Sequence, residues 1–152
     1  MTVREDRAPT TELLDSQVCF ALYSASRAVT AAYREVLDPL GLTYPQYLVM
    51  LVLWENEQIT VRDLGNQLRL DSGTLSPMLK RLEHRGFVVR ERSVLDERVV
   101  LVSLTSDGKN LKAAFPDIQE HICSAVTLSD EERATLRSLA SKISAMCPSQ
   151  NG

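Results

Sequence analysis

The chain has 152 residues, 44% of them hydrophobic and 24% charged, enough for one compact domain with a core and too few for two. A net charge of −3 and a pI near 5.4, taken alone, argue against a nucleic-acid binder, because phosphate contacts need concentrated Lys and Arg. No apolar run is long enough to cross a bilayer, and the charged opening stretch 1–10 lacks the apolar segment of a secretion signal. Cys19, Cys123 and Cys147 are odd in number and far apart, which fits neither a metal-ligand pattern nor a closed disulfide framework. A cytoplasmic protein without metal or cofactor is expected, with no membrane association.

In chain order, Leu14, Val18, Leu22, Ala25, Val29, Ala32 and Val36 recur at helical spacing, and Pro39 with Gly41 closes the segment. The spacing predicts one long amphipathic helix over 11–40. Thr43, Pro45 and Gln46 form a capping box with an early proline, opening a second and largely buried helix at about 44. Thr60 and Asp63 repeat the capping pattern ahead of a short helix to about 70, and positions 71–74 read as a turn and cap. Leu75, Met78, Leu79 and Leu82 share one face of the next helix, which Gly86 terminates. Pro77 has no amide hydrogen and is expected in that helix's first turn, with Gly73 or Thr74 as cap; the alternative is a kink. The β-rich runs 87–92 and 99–104, separated by a polar tip, read as an antiparallel hairpin. Thr105 caps a helix over about 107–124 that Pro116 bends, and Ser129 with Glu132 boxes the start of a last helix bearing Leu136, Leu139, Ile143 and Met146. The order is α, α, α, α, β, β, α, α: mainly α with a small β-hairpin wing.

Charge is distributed unevenly along this plan. Positions 61–98 hold Arg62, Arg69, Lys80, Arg81, Arg85, Arg90, Arg92 and Arg98 against fewer acids, so the middle third is mildly basic. Two short helices, a tight turn and a hairpin there make a winged helix-turn-helix pattern, whose second helix suits the major groove of double-stranded DNA. Ser72, Thr74 and Ser76 at its start would supply short contacts, with Lys80 and Arg81 a turn further on and His84 near the backbone. At the hairpin tip Arg98 would enter a minor groove, oriented by Asp96. The competing reading of the same charges is an ordinary solvated face on a protein-interaction module.

The run TVRDLGNQLRLDSGTLSPMLKRLEHRGFVVRERSVLDERVVLVSLTSDGK, with its Asp96-Glu97-Arg98 element, strongly resembles the MarR family. The resemblance extends over nearly the whole chain. It implies an intertwined homodimer: a single domain over 1–152 in which 11–40 and 106–146 are dimerisation helices and 43–104 is the winged helix-turn-helix. Each subunit would offer one winged helix to a pseudo-palindromic operator. That arrangement agrees with apolar faces at both ends of the chain, which a small winged helix alone could not bury.

Cys19, in LDSQVCFALYSASRAV, together with Tyr23, Tyr33 and Tyr44, is similar to the organic hydroperoxide resistance regulators within that family. The resemblance implies that Cys19 is the peroxide-reactive thiol and that Tyr33 and Tyr44 reach it from the partner subunit. It further implies that Cys123 closes an intersubunit disulfide after oxidation by an organic hydroperoxide, the inducer that frees the operator. A thiol reacts as its thiolate, an anion that tyrosine hydroxyl donors stabilise. A helix start near Thr11 would put Cys19 about two turns inside, too deep for the helix dipole to help. Cys147, beside Pro148, reads as incidental. The rival readings are a repressor that binds a phenolic small molecule, with packed cysteines, and a thiol peroxidase. A sensor reacts once per site, so no enzyme is expected.

Overall fold

The computed structural model describes residues 12–147. The opening stretch 1–10, the expected helix start at Thr11, and Pro148 lie outside the described residues.

Helices α1 (Glu12–Asp15) and α2 (Val18–Leu37) replace the single helix expected there. The interruption falls at Ser16, whose hydroxyl donates to the Leu13 carbonyl at 3.2 Å, and Gln17 enters α2 in extended conformation without a side-chain cap. A serine that bonds its own backbone competes with helix propagation, an effect that apolar periodicity does not register. Cys19 is therefore the second residue of α2, which corrects its expected place two turns inside a helix. A 3-10 turn, Asp38–Leu40, ends the segment, and Gly41 takes a left-handed φ of 68°. The Arg85 guanidinium donates to the Gly41 carbonyl and occupies the space that a side chain there would need.

α3 (Tyr44–Glu55) begins with the expected capping box: the Thr43 amide donates to Gln46 Oε1 at 3.0 Å, and the Gln46 amide donates back to Thr43 Oγ1 at 3.4 Å. Apolar on every side, it forms the central helix and buries Tyr47, Val49, Met50 and Leu53. A strand absent from the sequence reading follows. β1 (Gln58–Thr60) pairs antiparallel with β3 (Val100–Leu104), Ile59 opposite Val102, and β3 pairs on its other edge with β2 (Val88–Arg92). The expected two-stranded hairpin is thus a three-stranded sheet of order β1-β3-β2. Three residues are too short to show strand alternation, so only pairing with β3 reveals β1.

Thr60 ends β1 and caps α4 (Val61–Leu68), accepting from the Asp63 amide at 3.0 Å. The tight turn that follows is a Schellman closure: Leu70 N donates to the Gly65 carbonyl at 2.9 Å and Arg69 N to the Asn66 carbonyl at 3.3 Å. Arg69 sits at a φ of 55°, a left-handed conformation that costs a non-glycine residue about 1 kcal/mol. α5 (Ser72–His84) is capped by Asp71, not by Gly73 or Thr74. Pro77 lies inside it beyond the first turn, so the Gly73 carbonyl has no amide to accept from one turn on. A second Schellman closure ends α5 at Gly86, φ 78°.

α6 (Ser106–Asn110), a 3-10 turn (Leu111–Ala114) and α7 (Phe115–Ala125) replace the single bent helix expected over 107–124, with Pro116 in the first turn of α7, where its missing amide costs nothing. Thr105 caps α6, and the Ser129–Glu132 box opens α8 (Asp130–Met146), both as expected.

The core lies where α3, α4, α5 and the sheet meet, and Leu64, Leu75, Leu79, Leu82, Val88 and Val102 are fully buried in it. Burying each such side chain contributes about 1.5–3 kcal/mol. Leu37 and Ile118 anchor α2 and α7 to this core, whereas α8 contributes no buried residue.

Candidate nucleic-acid interface and cysteine site

The start of α5 is built by Asp71. Its carboxylate accepts from the Thr74 amide at 2.7 Å and from the Thr74 hydroxyl at 3.2 Å, and the amide bond leads in holding this carboxyl below its ordinary range. Ser72, Thr74 and Ser76 follow, all exposed, so the expected short polar contacts stand together on one helix start. Lys80 and Arg81 are exposed further along, where they line, with His84, Arg85 and Thr43, a cleft of about 490 Å³ at the N-terminus of α3.

On the wing, Arg98 Nε and Nη2 donate to the two Asp96 oxygens at 3.1 and 3.2 Å, and the Arg98 amide donates to Oδ1 at 3.0 Å. The guanidinium holds the Asp96 carboxyl below its usual range. The expected orienting pair is formed, with the Arg98 side chain 90% exposed. Ser72, Ser76, Asp96 and Arg98 line one cleft of about 950 Å³ between wing and helices. Arg90, counted among the basic residues of the middle third, is committed elsewhere: its guanidinium meets Glu83 at 2.8 Å and ties β2 to α5, which depresses the Glu83 carboxyl. Arg85 is likewise engaged by Gly41, so the available basic surface is narrower than the sequence count.

The cysteine site is split within one protomer. Cys19 is exposed in the first turn of α2. Tyr33 lies further along the same helix, about 21 Å away at roughly 1.5 Å rise per residue. Tyr33 and Tyr44 do come together, ring centroids 4.6 Å apart, and both lean on Tyr47, at 5.6 and 6.5 Å. Burial is the main cause that raises both phenols, Tyr33 to about 12, so each keeps its proton at neutral pH and remains a donor. Cys123 is exposed on α7, close enough to Tyr33 for a thiolate there to raise the phenol further. Tyr23 does not join this group: it is exposed, with the Arg27 guanidinium over its ring at 5.5 Å.

Sequence reasoning missed several supporting residues. Tyr47 backs the tyrosine pair and accepts a hydrogen bond from Gln119 Nε2 at 3.0 Å; its three-residue spacing from Tyr44 was the available signal. His121 Nε2 approaches Glu35 at 3.2 Å between α7 and α2, and Arg133 Nη1 donates to Cys123 Sγ at 3.8 Å. Neither pair leaves a trace in local sequence.

A short helix, a tight turn, an exposed polar helix start and a wing with an oriented arginine define a winged-helix transcriptional regulator. A family model described as transcriptional regulator SarA/Rot matches residues 31–115. The organic hydroperoxide resistance transcriptional regulator of Bacillus subtilis is 51% identical over 82% of this chain and 85% of its own length. Reduced AbfR bound to DNA superposes with a TM-score of 0.76 at 38% identity, covering 90% of this chain and 96% of that one. Disulfide-formed AbfR superposes with 0.65 at 37% identity, covering 90% and 93%. The chain belongs to the MarR family of winged-helix regulators, and its resemblance to the organic hydroperoxide resistance regulators is borne out.

Proposed function

We propose that the protein is a cytoplasmic, homodimeric repressor that holds operator DNA while Cys19 is reduced and releases it when an organic hydroperoxide oxidises that thiol. The observation that carries this reading is the division of the cysteine site. Cys19 and the Tyr33–Tyr44 pair stand about 21 Å apart along α2, so Cys19 can meet those donors only from a second copy of the chain. The exposed apolar residues Val18, Leu136, Leu139 and Met146 supply the faces such a pairing covers. Protonated phenols from the partner would supply hydrogen-bond donors to the Cys19 sulfur.

The chemistry balances with the peroxide as oxidant. The Cys19 thiolate attacks the outer peroxide oxygen, an S–O bond forms as the O–O bond breaks, the peroxide proton stays on that oxygen to give a sulfenic acid, and the departing alkoxide takes a proton from water to leave as the alcohol. Cys123 of the partner subunit then attacks Cys19 Sγ; the S–S bond forms, the S–O bond breaks, and the oxygen departs as water. A disulfide demands Cα atoms roughly 4.4–6.8 Å apart, so closing it draws α2 towards the partner's α7. That motion carries the winged helices out of register with half-sites about 34 Å apart. The closer superposition on reduced, DNA-bound AbfR than on its disulfide form supports assigning this conformation to the binding state.

The test is operator affinity of wild type and Cys19→Ser before and after one equivalent of cumene hydroperoxide, with non-reducing electrophoresis. Release by wild type alone, reversed by dithiothreitol, with a crosslinked dimer that Cys123→Ser abolishes, is expected. Release by both proteins would transfer the response to a bound small molecule, and sustained peroxide consumption would make the protein a peroxidase.

A further inference from the structure

The wing tip, a polar turn by sequence, presents Val94 and Leu95 entirely to solvent, at 100% and 98% exposure. A single exposed apolar residue is ordinary and needs no explanation. Here an adjacent pair sits on a tip braced from within: Ser93 N donates to the Val99 carbonyl at 2.8 Å, Val99 N to the Asp96 carbonyl at 2.9 Å, and Leu95 N to Ser93 Oγ at 3.2 Å. Beside the pair stand the exposed guanidinium of Arg98, aligned by Asp96, and Arg92, held to the Glu97 carbonyl at 3.1 Å. An apolar pair between two exposed guanidiniums, the Asp96 carboxylate folded onto Arg98 so that this guanidinium projects at 90% exposure, matches a surface with anionic rims and hydrocarbon walls. The minor groove of DNA is such a surface, since phosphates edge it and deoxyribose C–H groups line it. The tip is also continuous with the cleft that Ser72, Ser76 and Arg98 share, so one partner can cover both.

We propose that Val94 and Leu95 form a minor-groove contact, packing against the deoxyribose walls beside Arg98 and selecting A·T pairs at the wing subsite. Selection follows from the groove floor. A·T pairs show only acceptors there, whereas G·C pairs add the guanine 2-amino donor, which an apolar side chain would bury without a partner. This inference rests on the DNA-binding reading above and goes beyond it, because the contact carries affinity that owes nothing to counterion release.

The experiment uses a duplex selected from a random library by the reduced wild-type dimer, with wing subsites located by hydroxyl-radical footprinting. Affinities of wild type, the double variant Val94→Ser/Leu95→Ser and Arg98→Ala are then measured across a salt series. The double variant should bind about tenfold more weakly with an unchanged salt slope, while Arg98→Ala should lower the slope by about one. Replacing adenine by 2,6-diaminopurine at the wing subsite adds an amino group to the minor groove alone, and should weaken wild type about tenfold but the double variant less than about twofold. Because both side chains are fully solvated, the variant should keep its helical circular dichroism. A double variant that binds as tightly as wild type, or a diaminopurine penalty equal in both proteins, overturns this contact alone. A wild type that selects no duplex overturns the DNA reading and this contact with it.

Discussion

The middle and the ends of this chain use apolar residues in opposite ways. On α3, α4 and α5 they point inward: Tyr47, Met50, Leu64 and Leu79 are all at 0% exposure. On α8 the same kinds of residue, at the same helical spacing, stay in solvent, with Leu136 at 51% and Leu139 at 55%. The middle meets its packing requirement within one protomer, and the ends have a face left over. The interior of the middle is therefore sensitive to cavities, whereas the face left over on α8 is where, under the homodimer proposed above, a second copy packs.

The largest effect should come from placing charge on the unfilled face. Leu136→Asp/Leu139→Asp/Ile143→Asp is expected to yield a monomer by sedimentation and to lower operator affinity about 10²–10⁴-fold, since joint engagement of two half-sites is lost. A triple variant that stays dimeric would break the comparison.

Next in size is a contrast of cavities. Leu79→Ala should cost about 2–5 kcal/mol in urea unfolding at any protein concentration, because the cavity lies inside one protomer. Leu139→Ala should lose stability that recovers as concentration rises, the mark of an interface.

Tyr33→Phe keeps the ring against Tyr44 and Tyr47 and removes only the hydroxyl. Loss of a hydrogen bond to an anion, worth about 1.5–3 kcal/mol, should slow Cys19 oxidation roughly 10- to 100-fold, read by trapping the sulfenic acid with dimedone. An unchanged rate would leave the tyrosine pair with a packing role only.

The smallest effect is a local response to acid. Asp71, Glu83 and Asp96 have carboxyls depressed below 3.8, 4.5 and 3.8 respectively, by the Thr74 amide, the Arg90 side chain and the Arg98 side chain. Groups depressed on folding stabilise the native state above those ordinary values, and the contribution fades as pH falls through the folded ones. Between pH 5 and 3 the start of α5 and the wing should loosen in hydrogen exchange before the α3 core does, and Glu83→Gln should shift the wing's midpoint. Equal loosening everywhere would sink that assignment.

Much of the fold was legible because it is locally encoded. Thr43 with Gln46, Thr60 with Asp63, and Ser129 with Glu132 each fix a helix start within four residues, and the leucines of α5 name their own buried face. Polar positions of the candidate interface were legible for the same reason, as near neighbours on one helix start and one hairpin tip. What was not legible depended on partners distant in the chain. β1 exists because β3 lies beside it; Arg90 is withdrawn from the basic surface by Glu83; Tyr47 backs Tyr33 from another helix.

The sequence by itself determined the main helices and the wing hairpin, most of the caps, the winged-helix class and the identity of the residues worth asking about, since periodicity and capping act over a few residues. Only the tertiary structure decided that α2 begins at Val18 and so sets Cys19 in a first turn, and that Cys19 and Tyr33 stand at opposite ends of one helix. It also decided which arginines remain available and which apolar faces stay open. The free arginines and the open faces turn on distances between groups far apart in the chain, which periodicity cannot carry, whereas the start of α2 turns on a local bond of Ser16 that periodicity does not register.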